Sequence, residues 1–273
     1  MENSLLYPVS SATRRVVSLD GMWKFQFDPE STGLASDWAN GLPDPVLMPV
    51  PSSFCDLFTD KDSREYCGDF WYETDFFVPG EWNGCDVAIR FGSATHRARV
   101  FVNGVEVTSH EGGFLPFNAD VAEIVRYNQY NKLAVLLNNE LNEYMLPAGK
   151  TSVLSNGKKV AAPYFDFYNY AGLQRPVKLL RLPKEQVMDF TVNHRLCGAD
   201  AEVDYTVKTN GDHDCTVDVY DADRNKVAEA TGKTGTLHIA DAHLWNVHAS
   251  YLYTFVVRIV DGSAVVDEYF EKI

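Results

Sequence analysis

Short runs of alternating apolar and polar residues, punctuated by Asn-Gly and Asp-Gly pairs, constrain the fold of this chain most. The pair at 103–104 joins the runs 97–102 and 105–107, and the pair at 261–262 separates two similar runs. Asn-Gly and Asp-Gly accept the positive φ angles of a two-residue hairpin turn. Amphipathic patterns long enough for helices of three or more turns are scarce. The sequence therefore predicts a chain that is nearly all β.

The spacing of the strand candidates predicts two β-sandwiches. Further candidates are residues 87–91, 132–137, 204–208 and 216–220. At 273 residues the chain can hold two cores, and a boundary is expected at Leu182-Pro183-Lys184. Residues 1–183 are predicted to form a jelly-roll (galactose-binding-like) sugar-binding domain, rich in aromatics and long loops. Residues 184–273 have the size and roughly the seven strands of an immunoglobulin-like β-sandwich.

Charge and cysteine content exclude several classes of function. A net charge of −14 argues against nucleic acid and anionic membranes as partners. The apolar runs are too short for a membrane span, and the first residues lack the pattern of a signal peptide. The five cysteines are odd in number and form no Cys-x-x-Cys pair, which predicts free thiols and a cytoplasmic location. No metal site and no cofactor are expected, because the histidines at 238, 243 and 248 share no strand or helix face.

One segment has the composition of a sugar-binding loop. Asp166 is flanked by four aromatic residues and is followed by Ala171-Gly172 and a further apolar run; the aromatics are Phe165, Phe167, Tyr168 and Tyr170. Aromatic rings can cover the apolar faces of a sugar ring, while a carboxylate accepts hydrogen bonds from neighbouring hydroxyls. In the alternative interpretation Asp166 caps a turn and the aromatics belong to the core.

Motifs for catalysis are missing. The chain has no Gly-x-Ser-x-Gly elbow, no phosphate-binding Gly-x-x-x-x-Gly-Lys loop and no His-Glu-x-x-His pair. Glu140 and Glu143 follow the candidate strand 132–137 and could be considered as the carboxylate pair of a glycosidase. Nothing nearby in the sequence would raise the pKa of a proton donor there, so no catalytic residue is assigned.

The order of several segments resembles a known family. They are Leu19–Phe25, Val50–Phe54, Phe70–Pro79, Ala94–Gly104, Gly112–Val121, Asn138–Leu141 and Pro147–Gly149, with His243–Trp245 and Tyr251–Tyr253 in the second predicted domain. Together they resemble the N-terminal portion of a family 2 glycoside hydrolase, and most closely the bacterial β-glucuronidases. The resemblance implies a sugar-binding jelly roll, an immunoglobulin-like domain and then a catalytic (β/α)8 barrel. It also implies that the barrel and both catalytic glutamates of a retaining mechanism lie beyond Ile273.

The resemblance also implies a role for Asp166. It matches the aspartate of the Asp-Phe-x-Asn-Tyr-Ala-Gly pattern, which in β-glucuronidases reaches into the barrel pocket and contacts sugar hydroxyls. The expected partners are a β-glucuronide and the chain's own barrel, and the whole enzyme is expected to be a homo-oligomer. Two alternatives stay open: a stand-alone carbohydrate-binding module, or the N-terminal portion of a family 2 β-galactosidase or β-mannosidase.

Residues around this motif are expected to be structural. Asn169 and Gly172 are predicted to be turn residues. Hydrogen-bonded structural roles are predicted for His96 and His110, and a core position for the pair at 71–72.

Overall fold

A computed structural model describes residues 4 and 6–273 of the chain. Contacts divide the chain into two compact units. The larger unit is Val17–Leu180, and the smaller unit combines Met1–Val16 with Arg181–Ile273. The N-terminal segment thus groups with the second sandwich, and the domain boundary at 183/184 stays a prediction.

The larger unit is built from strands that are joined mostly by turns and loops. Strands β1 to β12 are Arg15–Ser18, Gly21–Asp28, Val46–Val50, Asp69–Val78, Asp86–Phe91, Arg97–Val102, Val105–Glu111, Phe117–Asp120, Gln129–Asn138, Gly149–Val153, Lys159–Pro163 and Val177–Leu182. The α-helices α1 and α2 have four residues each and are Phe54–Leu57 and Lys61–Arg64. Short 3-10 helices cover Trp38–Asn40 and Gly80–Trp82.

Two sheets form the sandwich of the larger unit. A six-stranded sheet has the order β3-β2-β4-β9-β6-β7, and a four-stranded sheet has the order β1-β12-β5-β8. One buried cluster contains residues of both sheets, among them Phe70 and Tyr72 of β4 and Ile89 and Phe91 of β5. A separate hairpin pairs β10 with β11. This hairpin runs directly into the segment that contains Asp166.

The centre of the six-stranded sheet is buried on both faces. Trp71 of β4 and Leu136 of β9 point away from the main cluster and pack with Phe101 and with Leu42 of the connection before β3. Burial on both faces explains why residues 133–137 are continuously apolar instead of alternating. Trp71 and Tyr72 are both core residues, as the sequence predicts.

The smaller unit is a sandwich of three and four strands. Strands β13 to β19 are Val187–Cys197, Asp200–Thr209, Asp214–Tyr220, Lys226–Thr231, Thr234–Ile239, Thr254–Asp261 and Ala264–Lys272. The sheets have the orders β13-β14-β17 and β16-β15-β18-β19, and both contribute to one buried cluster. Three and four antiparallel strands around one core form the arrangement of immunoglobulin-like domains. The predicted fold class, an all-β chain of two sandwiches, is confirmed.

A buried ion pair attaches the N-terminal segment to the smaller unit. Arg14 donates from Nε to Oδ1 of Asp267 at 2.9 Å and from a terminal nitrogen to Oδ2 at 2.5 Å. Both side chains are almost completely buried. The second carboxylate oxygen also accepts the backbone N–H of Val187 at 2.8 Å. A paired, hydrogen-bonded charge is one that a protein core can accommodate, and removing one partner is costly.

Two properties bear on where the chain can reside. All five cysteines lie within the described residues and are thiols. Over the same residues, no helix is both long and apolar enough to cross a membrane.

Candidate functional site

The segment after β11, residues 164–170, forms an exposed aromatic loop. The exposed fractions of its flanking rings are 55% for Phe165, 38% for Phe167, 39% for Tyr168 and 40% for Tyr170. Asp166 is exposed as well, and its carboxylate has no hydrogen-bond or ion-pair partner among residues 4 and 6–273. The carboxylate therefore caps no turn, and the rings lie outside the core. The structural alternative for this motif is wrong.

Ring contacts organise the aromatic loop. Phe167 meets Phe165 at 6.3 Å and Phe114 at 6.4 Å between ring centroids, both edge to face. The rings of Tyr168 and Tyr170 lie 4.8 Å apart. Such edge contacts orient the rings and leave much of their surface accessible. The loop thus presents ordered aromatic surface around a carboxylate.

Asn169 anchors the aromatic loop from below. Its Oδ1 lies 2.6 Å from Nε2 of His96, and its Nδ2 donates to the carbonyl oxygen of Asn139 at 3.0 Å. Asn139 is itself fixed, because its side chain accepts from the N–H of Gly68 and donates to the carbonyl oxygen of Tyr66. Both His96 and Asn139 are 1% exposed. The loop therefore stands on a buried polar network.

The protonation of His96 follows from this network. Asn169 uses its amide nitrogen on Asn139, so its oxygen faces His96 and the Nε2 nitrogen donates. Burial lowers the pKa of His96; the hydrogen bond to Asn169 raises it in part, and the charge of Arg97 lowers it further. A neutral imidazole with its proton on Nε2 agrees with both the lowered pKa and the hydrogen bond donated to Asn169. His96 is therefore hydrogen-bonded and structural, as the sequence predicts.

Gly172 closes the loop on its other side. Its φ is +138°, and a Cβ there would lie 2.7 Å from the carbonyl oxygen of Ser52 and 2.8 Å from the hydroxyl of Tyr72. The N–H of Gly172 donates to Oγ1 of Thr95 at 2.8 Å, and that hydroxyl donates back to the carbonyl oxygen of Gly172 at 3.0 Å. Only glycine allows this close approach, so the Ala-Gly step after the aromatics has a steric cause.

The helical segment after β3 supports the loop from the side. Tyr168 donates its hydroxyl to the carbonyl oxygen of Arg64 at 3.0 Å. The thiol of Cys55 lies 3.7 Å from the carbonyl oxygen of Asn169. These contacts leave Asp166 as the polar side chain of the loop that faces solvent.

Glu140 and Glu143 are engaged in structural contacts. Glu140 Oε1 lies 2.5 Å from Nζ of Lys159 on β11, and this hydrogen bond raises the pKa of the lysine. Glu143 accepts from the hydroxyl of Tyr164 at 3.2 Å. Glu140 thus contacts the hairpin that leads into the aromatic loop, and Glu143 contacts the first residue of that loop. The absence of a catalytic role for either glutamate stays a prediction.

Several residues that hold the aromatic loop in place are marked by no local sequence pattern. Thr95, Phe114 and Asn139 carry it from other strands and turns, and sequence reasoning did not single them out. His110 is also structural, since its Nε2 lies 3.1 Å from the carbonyl oxygen of Gly112 and its ring stacks on Phe117 at 4.2 Å. In the sequence, the site was marked by the composition of the loop and by its resemblance to the family pattern around Asp166.

The chain thus combines a jelly-roll sandwich that carries the aromatic loop with an immunoglobulin-like sandwich. "Glycosyl hydrolases family 2, sugar binding domain" matches residues 16–183, and "Glycosyl hydrolases family 2" matches residues 183–273. The chain belongs to glycosyl hydrolase family 2. The expected family is thereby confirmed.

Two curated relatives of this chain are bacterial β-glucuronidases. The chain is 36% identical over 274 residues to a β-glucuronidase of Paenibacillus borealis, covering 98% of this chain and 46% of that protein. It is 37% identical over 275 residues to a β-glucuronidase of Streptococcus agalactiae, with 98% and 45% covered. The chain therefore spans about half the length of the curated relatives it matches.

Solved structures agree with the sequence relatives. A Ruminococcus gnavus β-glucuronidase superimposes with a TM-score of 0.97 at 56% identity, covering 100% of this chain and 46% of that one. A structure of the R. gnavus enzyme in complex with D-glucuronic acid gives a TM-score of 0.97 at 55% identity, with 100% and 48% covered.

Proposed function

We propose that this chain is the non-catalytic N-terminal portion of a retaining glycoside hydrolase that cleaves β-D-glucuronides. In the longer protein it supports a C-terminal (β/α)8 barrel and contributes Asp166 to the sugar pocket. The observation that carries the proposal is an exposed Asp166 on an anchored aromatic loop, with no hydrogen-bond or ion-pair partner in the part of the chain that the structure describes. Similarity to β-glucuronidases across nearly the whole chain, but only about half of those proteins, supports it.

The chemistry assigned to Asp166 is binding. A carboxylate accepts hydrogen bonds from vicinal sugar hydroxyls, and the surrounding rings can cover apolar faces of the sugar. Hydrolysis with retention needs two carboxyl groups about 5–5.5 Å apart, one as nucleophile and one as acid and base. We place both beyond Ile273, at the strand ends of the barrel where such sites are built.

The organisation of the longer protein follows from the same proposal. Residues 1–183 are the sugar-binding domain and residues 184–273 are the immunoglobulin-like domain that leads to the barrel. The five thiols support a cytoplasmic location. We expect the longer protein to be a homo-oligomer.

Turnover of a chromogenic β-D-glucuronide by the present chain and by the longer protein tests the proposal. The present chain is expected to give no turnover above buffer, and the longer protein is expected to hydrolyse the glucuronide. Turnover by the purified present chain that is lost in Glu140→Gln would contradict the proposal.

A second function is favoured by the exposed rings of the aromatic loop, which are accessible without a barrel. The chain would then be a stand-alone carbohydrate-binding module. Calorimetric titration with glucuronate and oligosaccharides separates the two. Absent or roughly millimolar affinity fits an incomplete pocket, since most contacts are missing, whereas affinity on the order of micromolar favours the module.

A further inference from the structure

The smaller unit carries an exposed apolar groove. The walls of this C-terminal groove come from the connection before β18, where Leu244 is 55% and Trp245 is 59% exposed. Leu196 of β13 and Leu252 add further exposed apolar surface, and the core of the sandwich forms the floor. A groove lined by neighbouring exposed apolar residues is a candidate binding surface.

Ring stacking and hydrogen bonds hold the wall of the C-terminal groove in place. The ring of His243 stacks on Tyr251 at 4.1 Å with an angle of 16° between the planes. The N–H of His243 donates to the hydroxyl of Tyr253 at 2.9 Å. Tyr251 in turn accepts from the N–H of Ala222 at 3.1 Å. These contacts hold the connection in shape while Leu244 and Trp245 stay exposed.

The end of the present chain lies in the same groove. The N–H of Tyr253 donates to the carbonyl oxygen of Ile273 at 2.8 Å, and the N–H of Ile273 donates back at 2.9 Å. Ile273 itself lines the groove. Any polypeptide that continues from residue 273 therefore leaves from the groove. A covalently attached segment has a high effective concentration over a surface next to its attachment point.

We propose that the C-terminal groove is the docking surface for the polypeptide that directly follows Ile273. This inference rests on the proposed function, in which the present chain continues into a C-terminal domain. Relatives of about twice this length provide the continuation. The docked segment is apolar, because most residues that line the groove are apolar, among them Leu244, Trp245 and Leu252.

Hydroxyl-radical footprinting with mass spectrometry tests the inference on the present chain and on the longer protein. Labelling of Leu244 and Trp245 is expected to be strong in the present chain and several-fold lower in the longer protein. Val227 and Val265 are exposed apolar residues of the same unit outside the groove, and they serve as references. Equal labelling of Trp245 in both proteins overturns the inference. Protection in the present chain that grows with concentration also overturns it, because a second copy would then cover the groove.

A matched pair of variants isolates the contact. Leu244→Glu is expected to leave the melting temperature of the present chain unchanged, because Leu244 is exposed there, and to lower that of the longer protein. Val265→Glu should change neither. Equal behaviour of both variants in the longer protein contradicts the inference.

The experiments distinguish a failure of the docking surface from a failure of the proposed function. A longer protein that hydrolyses glucuronides while Trp245 stays fully labelled refutes only the docking surface. A longer protein without turnover refutes the proposed function, and the footprint still decides what covers the groove.

Discussion

His96 and Asn169 are 73 positions apart in the sequence, yet Nε2 of the histidine and Oδ1 of the asparagine lie 2.6 Å apart. This hydrogen bond joins the aromatic loop to a buried histidine. Asp166 is three residues from Asn169 and has no hydrogen-bond or ion-pair partner among the described residues, so this anchor is what holds the backbone near it. Buried hydrogen-bonded networks of this kind rigidify the segment they support.

Asn169→Ala is expected to lower the free energy of unfolding of the present chain by about 1–3 kcal/mol. The variant leaves the buried His96 and the carbonyl of Asn139 without their partner, and an unsatisfied buried group costs about that much. Urea denaturation followed by tryptophan fluorescence measures the change. Asp166→Ala is the control and should change the value by less than about 0.5 kcal/mol, as expected for an exposed residue without partners. Equal losses in both variants would show that Asn169 is no anchor.

Gly172→Ala is expected to destabilise the larger unit by more than about 2 kcal/mol. The added methyl group would overlap Ser52 and Tyr72, and alanine would have to adopt an unfavourable positive φ. Gly157→Ala is the matched control. Its φ of +84° is also left-handed, but nothing lies within 4 Å of the added carbon. It should cost only about 1 kcal/mol of backbone strain. Thermal unfolding of both variants compares the two; similar losses would disprove the steric role of Gly172.

The neutral His96 makes stability depend on pH. Burial lowers its pKa below the ordinary 6.5 of the unfolded chain, so the unfolded state takes up the proton first as the pH falls. The contribution of His96 to stability is complete above pH 6.5 and is lost between 6.5 and the lowered folded value. The free energy of unfolding of the larger unit should therefore decrease from pH 7.5 to pH 5.5.

His96→Gln isolates this effect, because glutamine keeps an N–H donor for Asn169 and does not titrate in this range. The stability difference between the wild-type chain and the variant should shrink as the pH falls. A difference that is constant over this range would mean that His96 titrates equally in both states.

Local strand structure was predictable because its signals are local. Asn103-Gly104 forms the turn between β6 and β7, and the predicted strand 132–137 lies within β9. By contrast, Arg14 pairs with Asp267 across 253 positions, and no local pattern marks either residue. Contacts between residues so far apart in the sequence depend on how the strands are arranged. Hydrophobic periodicity and secondary-structure propensity do not determine that arrangement. The grouping of the first residues with the smaller unit was therefore not foreseen.

The candidate site was visible in the sequence through its composition and its resemblance to a family pattern, but its supports were not. A carboxylate among aromatics is visible in the sequence, but the same residues would also fit a turn whose aromatics lie in the core. The exposure of the rings argues against that alternative. The supports Thr95 and Asn139 lie on other segments of the chain, so their roles became visible only in the fold.

Catalytic efficiency of the longer protein with Asp166→Asn tests the central claim most directly. Hydrogen bonds to a charged group contribute about 1.5–3 kcal/mol, which corresponds to a factor of roughly 10–100 in kcat/KM. We predict a loss of this size toward a β-D-glucuronide, with an unchanged melting temperature. Asp44→Asn removes another exposed carboxylate of the larger unit and should leave kcat/KM unchanged. A value for Asp166→Asn within about twofold of the wild-type enzyme would contradict a sugar contact, since even one weak hydrogen bond exceeds that effect.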